Sequence, residues 1–219
     1  MKQKHIGVND YDEYWKERLD TKRTGKTGVH YRVIDLVLKY VKKGTTVLDI
    51  GVGPAHIYRG VMKDYDAYGA EISKNAYDTY EFQKEKIFLG NAIENIPTFS
   101  EVSSYDGIIV SMLLHHMEEP NVFLKKVHDK LNEDGHLIVS TPNIGFWRNR
   151  LEFFIHGSFP TRLSKAHKIF LNIPQWTKMI ESEGFKIVEV CTMNRKFPFL
   201  DHFMPQLIGG KVFIVAKKI

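Results

Sequence analysis

Cysteine and long apolar runs are scarce in this 219-residue chain. The single cysteine, Cys191, cannot form a disulfide within the chain, and its Val/Ile-rich surroundings predict a buried strand and a structural thiol rather than a nucleophile. No uninterrupted apolar stretch approaches the roughly 20 residues that span a bilayer, and the basic start of the chain is followed by no apolar segment typical of a signal peptide. We therefore expect a soluble, cytoplasmic protein.

Charge of one sign is not concentrated in any part of the sequence. The formal net charge is +5 at pH 7, but the Lys and Arg residues are scattered among acidic residues. A nucleic-acid partner is therefore not favoured. The hydrophobic content of 43% is enough for a core, and we find no internal repeat, so a single domain over residues 1–219 is predicted.

Segments of strand length alternate with segments of helical periodicity along most of the chain. Strands are predicted at 45–50, 67–70, 86–89, 106–111, 136–140, 185–190 and 211–217, and helices at 29–42, 54–63, 74–83, 121–131 and 174–183. This alternation predicts an α/β fold with a Rossmann-like, mostly parallel sheet of seven strands and helices on both faces. No helix is predicted between the last two strands, so the final strand is expected to run antiparallel at the end of the sheet.

A glycine-containing turn follows the first predicted strand. Asp49 ends this strand, and Gly51, Val52 and Gly53 lead into the next helix. Glycine allows a tight turn and a close approach of the backbone to a ligand, because it has no Cβ. In this strand-to-helix context, the turn predicts a binding loop for a nucleotide-like cofactor.

Polar residues also follow the second and third predicted strands. Glu71, followed by Ile72, is placed to accept hydrogen bonds from the two hydroxyls of a ribose. The amide oxygen of Asn91 can accept from an adenine amino group, and the backbone of Ala92 and Ile93 can face the ring. The carboxyl ends of consecutive parallel strands share one edge of a sheet, so these groups are predicted to form one site.

The motif around Asp49, together with Glu71 and the order of strands, resembles class I S-adenosylmethionine-dependent methyltransferases. The resemblance implies that Asp49 anchors the loop under the methionine half of S-adenosylmethionine and that Glu71 binds its ribose. It extends the cofactor site to Ser111, at the end of the fourth strand. Asn91 departs from the family, which more often has Asp at this position.

Two other nucleotide-binding classes fit the glycine turn less well. A dinucleotide dehydrogenase usually has a third glycine, whereas this turn continues as Pro54 and Ala55. The Lys and Ser or Thr of a phosphate-binding P-loop are also missing. The methyl donor is therefore preferred as cofactor, and we assign no metal ligands.

Two adjacent histidines follow the fourth predicted strand. His115 and His116 are placed near the departing methyl group, and a neutral imidazole can accept the proton of a substrate hydroxyl. His116 is the preferred candidate for a general base, although a structural histidine or one that packs against the cofactor is the interpretation that the residues favour. No Asn/Asp-Pro-Pro-aromatic motif of nucleobase amine methylases occurs here, which makes nucleic acid a minor alternative.

Two further segments are predicted to enclose the substrate. A helical lid at 8–42 supplies Tyr11 and Trp15, and an aromatic cover insertion at 143–172 supplies Trp147 and Arg150. The start of the cover, from Ser140 to Leu151, locally resembles the methionine biosynthesis protein W family.

The cover has two further interpretations. Its helix can simply pack on the domain, or it can lie on a membrane surface, because apolar residues recur at helical spacing among arginines. The predicted function is methyl transfer to an oxygen, less favourably a nitrogen, of a small molecule by a monomer or homodimer. The alternative is a regulatory protein that binds the donor and acts through a partner.

Overall fold

The structure is a computed structural model that describes residues 8–21, 25–157, 167–193 and 205–219. Residues 158–166 of the predicted cover, and the first seven residues of the predicted domain, lie outside this description. Every predicted site residue lies within it.

The described strands form one seven-stranded sheet. They are β1 (Thr46–Ile50), β2 (Asp66–Glu71), β3 (Ile87–Leu89), β4 (Tyr105–Ser111), β5 (Leu131–Pro142), β6 (Phe185–Thr192) and β7 (Lys211–Lys218). The strand order is β3-β2-β1-β4-β5-β7-β6. The pairs among β1 to β5 are parallel, and β7 is antiparallel to both of its neighbours. The predicted Rossmann-like, mostly parallel sheet with an antiparallel final strand is confirmed.

The predicted position of the final strand, at the end of the sheet, is wrong. β7 lies between β5 and β6, so the edge strand is β6. Val212 through Ala216 of β7 are completely buried, whereas in β6 only the first and last residues, Phe185 and Thr192, are buried. A strand that is apolar on both faces is stabilised by a neighbour on each side, and the more polar strand tolerates the edge.

Helices cover both faces of the sheet, as predicted. The described helices are α1 (Val8–Asp20), α2 (Gly28–Tyr40), α3 (His56–Val61), α4 (Lys74–Asp78), α5 (Pro120–Lys130), α6 (Trp147–His156), α7 (Ile173–Ser182) and α8 (Pro205–Ile208). The apolar sides of α5 and α7 share one core cluster with the sheet, and those of α2 and α3 share a second. None of the described helices is both long enough and apolar enough to cross a membrane.

Several helix boundaries differ from the predicted ones for local reasons. α3 begins at His56 because the preceding Ala55 has a left-handed backbone, with φ of 59°. α4 ends at Asp78, and a short 3-10 helix, Lys84–Lys86, precedes β3. The predicted lid at 8–42 contains two helices with different roles, since α2 packs in the core whereas α1 contacts α4 near the glycine turn.

Candidate functional site

The glycine turn after β1 has the backbone shape that its sequence predicts. Gly51 and Gly53 have φ values of +81° and +54°, in the left-handed region that side chains other than glycine rarely adopt. The N–H groups of Gly51 and Val52 donate to the carbonyl oxygen of Ala70 at 2.8 and 3.2 Å. These bonds hold the turn against the carboxyl end of β2.

Trp15 of α1 covers this turn. A Cβ placed on Gly53 would lie 2.9 Å from Cζ2 of the Trp15 indole, so the ring is in direct contact with the glycine backbone. Trp15, predicted as a substrate residue of the lid, therefore lies against the glycine turn. Tyr11 lies one helical turn earlier on α1 and is half-buried.

A residue that the sequence analysis missed fastens α1 in this position. Oδ1 of Asp12 accepts hydrogen bonds from Oγ of Ser73 at 2.7 Å and from N of Asn75 at 3.2 Å. The bond from Ser73 lowers the pKa of Asp12 and keeps its carboxylate ionised. No short-range motif marks Asp12, because its partners lie more than 60 residues further along the chain.

Glu71 is buried at the end of β2 and links three segments of the site. Its Oε2 accepts from N of Gly53 at 2.7 Å, and its Oε1 accepts from N of Ser73 at 2.8 Å. Burial raises the pKa of Glu71, while these backbone bonds act in the opposite direction. The carboxylate therefore lies against the glycine turn, as predicted from its position after β2.

Asp49 is a buried carboxyl group beneath the glycine turn. It is 1% exposed, and among the described residues neither of its oxygens has a hydrogen-bond partner. Burial, and then the charge of Glu71, raise its pKa to about 7, against a smaller lowering by the backbone N–H of Tyr58. A buried carboxylate without a donor is costly, and a cationic ligand group such as an ammonium would relieve that cost.

The segment after β3, which is predicted to contact adenine, forms a turn next to Glu71. N of Gly90 donates to the carbonyl oxygen of Glu71 at 2.8 Å. Oδ1 of Asn91 accepts from N of Ile93 at 3.1 Å, and its Nδ2 donates to Glu94. The amide oxygen predicted to bind adenine is therefore engaged in the turn, which positions the backbone from Asn91 to Ile93. Ala92 is buried beneath it.

The remaining predicted cofactor residues differ in their surroundings. Val52 is buried, and its side chain lies 2.7 Å from where a Cβ on Gly69 would stand, so it packs against β2. Oγ of Ser111 lies 2.8 Å from Oγ of Ser140, which joins the ends of β4 and β5. Ile72 is half-buried immediately after Glu71.

The two predicted histidines lie in a 3-10 helix, Leu114–His116, beyond the end of β4. His115 is 2% exposed, and its Nδ1 lies 3.4 Å from Oγ1 of Thr141. Burial and the neighbouring His116 lower the pKa of His115 to about 2, which makes it a very weak base. His116 is half-buried, and its ring centroid lies 4.2 Å from that of His115.

A third histidine, His167, completes this cluster and was not assigned to the site from sequence. Its ring centroid lies 4.4 Å from that of His115 and 5.0 Å from that of His116. Since it is distant from both in sequence, no spacing pattern indicates the contact.

The predicted substrate residues of the cover lie on α6. Trp147 is 46% exposed and stacks edge-on with Phe146. Nε of Arg150 donates to the carbonyl oxygen of Gly145 at 2.8 Å. In the described part of the chain, neither side chain forms a hydrogen bond or ring contact with the glycine turn, so the structure does not bring them to the cofactor residues.

The fold and this site define a class of protein. A glycine turn at the carboxyl edge of the sheet, a buried acid beneath it and a second acid at the end of β2 lie together, in the arrangement expected from the resemblance to class I methyltransferases. The sequence from residue 25 to 190 matches the family model described as "Methyltransferase domain". The chain therefore belongs to the methyltransferase domain family, and the predicted superfamily is confirmed.

A curated relative matches only part of the chain. The (S)-tetrahydroprotoberberine N-methyltransferase of Eschscholzia californica is 31% identical over 105 residues, which cover 45% of this chain and 30% of that protein. The chain thus spans less than a third of the length of this relative.

Solved structures match nearly the whole fold. A 1,6-didemethyltoxoflavin-N1-methyltransferase from Burkholderia thailandensis, bound to 1,6-didemethyltoxoflavin and S-adenosylhomocysteine, has a TM-score of 0.69 at 14% identity. It covers 96% of this chain and 86% of that one. A SAM-dependent methyltransferase from Archaeoglobus fulgidus has a TM-score of 0.67 at 17% identity, over 94% of this chain and 100% of that one. At these identities the similarity shows the fold.

Proposed function

We propose that this protein transfers a methyl group from S-adenosylmethionine to a small-molecule acceptor. The observation that carries the proposal is the unpartnered, buried carboxyl of Asp49 beneath a turn that Glu71 fastens to β2. The donor molecule carries an ammonium group and a ribose diol, which are the partners that two such acids bind.

Each part of the site has a role in this proposal. Asp49 would hold the ammonium group of the methionine half, and Glu71 would accept from the ribose hydroxyls. The backbone from Asn91 to Ile93 would contact adenine, with Ser111 at the rim of the site. Trp15 would close over the bound molecule and exclude water, because α1 is fastened to α4 through Asp12.

The bound donor supplies an electrophilic methyl group on a sulfonium, which is a good leaving group. The acceptor lone pair forms the new bond to the methyl carbon while the carbon–sulfur bond breaks, and the electron pair of that bond stays on sulfur. The chain's own contribution is mainly to position and desolvate the two reactants. A proton lost by the acceptor would pass to His116 or to solvent, since His115 is too weak a base.

The sequence and the similar proteins favour different acceptor atoms. Oxygen is predicted from the sequence, whereas two of the similar proteins carry names of N-methyltransferases. A nitrogen acceptor therefore enters the proposal on equal terms with oxygen. Parallel turnover assays with amines and phenols would decide between them.

Donor binding is the first test of the proposed function. Calorimetric titration with S-adenosylmethionine is expected to show one site in the wild type and at least tenfold weaker binding in Asp49→Asn and Glu71→Gln. Asp78→Asn is the matched control, because Asp78 is an exposed carboxylate paired with Lys74. Equal affinity in all four proteins would remove this site from donor binding.

Turnover separates the enzyme from the regulatory alternative. A methyltransferase yields S-adenosylhomocysteine when it is given the donor and an acceptor panel of amines, phenols, sugars and acids. A regulatory protein would bind the donor with the same dependence on Asp49 and yield no product with any acceptor class.

A further inference from the structure

Three histidines lie together at the end of the sheet, next to the proposed methyl-transfer site. Each of His115, His116 and His167 offers one ring nitrogen, and these nitrogens all lie within 4.8 Å of one another. Two of the residues come from the 3-10 helix after β4, and the third precedes α7. The cluster thus joins two separate segments of the chain.

The backbone holds these segments in place without help from the histidine rings. The carbonyl oxygen of His115 accepts hydrogen bonds from N of Lys168 at 2.8 Å and from N of Ile169 at 3.2 Å. Nζ of Lys168 also lies 3.5 Å from Oε1 of Glu118. These backbone hydrogen bonds therefore keep His167 close to His115, which favours a preorganised set of ligands.

The ring of His115 has an unsatisfied nitrogen. Its Nε2 is buried and, among the described residues, has no hydrogen-bond partner. The ring borders a cavity of about 10 Å³, together with Thr141, His167 and Trp176. A buried imidazole nitrogen without a partner has lost its hydration, and a ligand would restore an interaction.

We propose that His115, His116 and His167 bind a divalent transition-metal cation of the zinc type. Zinc bound by three imidazoles has Zn–N distances of about 2.0–2.1 Å, which places the nitrogens about 3.4 Å apart. The nitrogens lie within 4.8 Å of one another and would move closer together on binding. Three protein ligands leave a fourth position open to water or to an acceptor oxygen or nitrogen.

A neighbouring group would orient one ligand of the proposed site. Oγ1 of Thr141, 3.4 Å from Nδ1 of His115, can hold that ring in place, as groups beside metal ligands commonly do.

Metal binding and proton transfer are mutually exclusive roles for His116. A nitrogen whose lone pair coordinates a cation cannot accept a proton from the acceptor. The inference does not depend on the proposed methyl transfer, since it concerns only the three imidazoles and their surroundings. Loss of metal binding would be observed in the Zn²⁺ titration, and loss of donor binding in the S-adenosylmethionine titration.

The test uses untagged, chelator-treated protein of full length, titrated with Zn²⁺ in a calorimeter and with Co²⁺ in a spectrophotometer. We expect one Zn²⁺ per chain in the wild type and visible Co²⁺ bands of a four-coordinate imidazole site. His167→Gln and His116→Gln are expected to weaken Zn²⁺ binding at least tenfold.

His128→Gln is the matched control, because His128 packs against Phe185 at the opposite end of the sheet. It should bind Zn²⁺ like the wild type, and circular dichroism should show that every variant is folded. Because His167 and His116 are only partly buried, substitutions there disturb the core less than a substitution of His115. Equal Zn²⁺ affinity in the wild type and both histidine variants, or a Co²⁺ spectrum of the hydrated ion, would overturn the proposal.

Discussion

Trp15 of α1 touches the backbone of Gly53 so closely that a Cβ on the glycine would lie 2.9 Å from the indole Cζ2. Gly53→Ala would therefore meet the indole and also strain a residue with φ of +54°, a conformation that costs roughly 1 kcal/mol in residues other than glycine. We expect it to lower the free energy of unfolding by about 1–3 kcal/mol.

Trp15→Ala removes the steric part of this effect and leaves the backbone strain. The loss caused by Gly53→Ala should accordingly be smaller in the Trp15→Ala background, as measured by urea unfolding of the four proteins of the double-mutant cycle. Strict additivity would show that the indole does not press on Gly53. Trp15→Ala alone is expected to weaken S-adenosylmethionine binding.

Asp49 predicts a pH dependence of stability. Its pKa is about 7 in the folded protein, against 3.8 as the usual value, so the unfolded chain releases this proton first as the pH rises. Stability should therefore fall between pH 3.8 and about 7, by up to roughly 4 kcal/mol from this group, and level off above that range. Urea unfolding at pH 5 and pH 8 measures the effect.

Asp49→Asn should abolish this part of the pH dependence, whereas Asp78→Asn should retain it. In the wild type, S-adenosylmethionine should bind more tightly at pH 8 than at pH 6, because the ionised carboxylate is the form that pairs with an ammonium group. A flat profile for wild-type binding would argue against that pairing.

Glu189, on the edge strand β6, is expected to stabilise the fold at neutral pH and to lose this effect in acid. This is opposite to the pH dependence expected from Asp49. Burial raises its pKa, but hydrogen bonds from Lys39 and Tyr40 outweigh this effect, and the folded pKa lies below the usual value of 4.5. Its stabilisation is present above pH 4.5 and is lost as the pH falls through the lower folded pKa. Glu189→Gln should cost about 1 kcal/mol at pH 7 and less at acid pH. Chemical unfolding at pH 7 and pH 3.5 tests this, and an equal loss at both values would contradict it.

His116→Gln tests proton transfer in chelator-treated protein. If His116 accepts the acceptor's proton, turnover should fall by about 100-fold while the Kd of S-adenosylmethionine changes less than threefold. Steady-state rates of S-adenosylhomocysteine formation and calorimetry measure the two quantities. Unchanged turnover would remove His116 from catalysis and leave it the roles of packing and metal binding.

Helix α6 carries the predicted membrane contact. Phe154 is 86% exposed and Ile155 is 61% exposed, beside the exposed Arg148. Such a surface is typical of helices that lie in a bilayer interface. We expect the wild type to sediment with anionic phospholipid vesicles and Phe154→Asp to remain in solution. Val122→Asp is the control, because Val122 is an exposed apolar residue of α5. Equal sedimentation of both variants would argue for another use of α6.

Local sequence was sufficient to predict the elements that carry the proposed cofactor site. The period of apolar residues predicts the strands, and the glycines at 51 and 53 require the left-handed backbone that the structure shows. Because parallel strands place their carboxyl ends at one edge, the proximity of Glu71 to the glycine turn followed from the order of elements alone.

Other features depend on contacts between distant parts of the chain, and sequence patterns carry little information about them. The insertion of β7 between β5 and β6 is decided by which strand can be buried on both sides. The contacts of Asp12 with Ser73, and of His167 with His115, join segments whose separation follows no period. The sequence by itself determined the class of fold and the position of the glycine turn, because these follow from local periodicity and backbone constraints. Only the tertiary structure placed Trp15 over Gly53 and brought three histidines together, because packing decides which distant side chains meet.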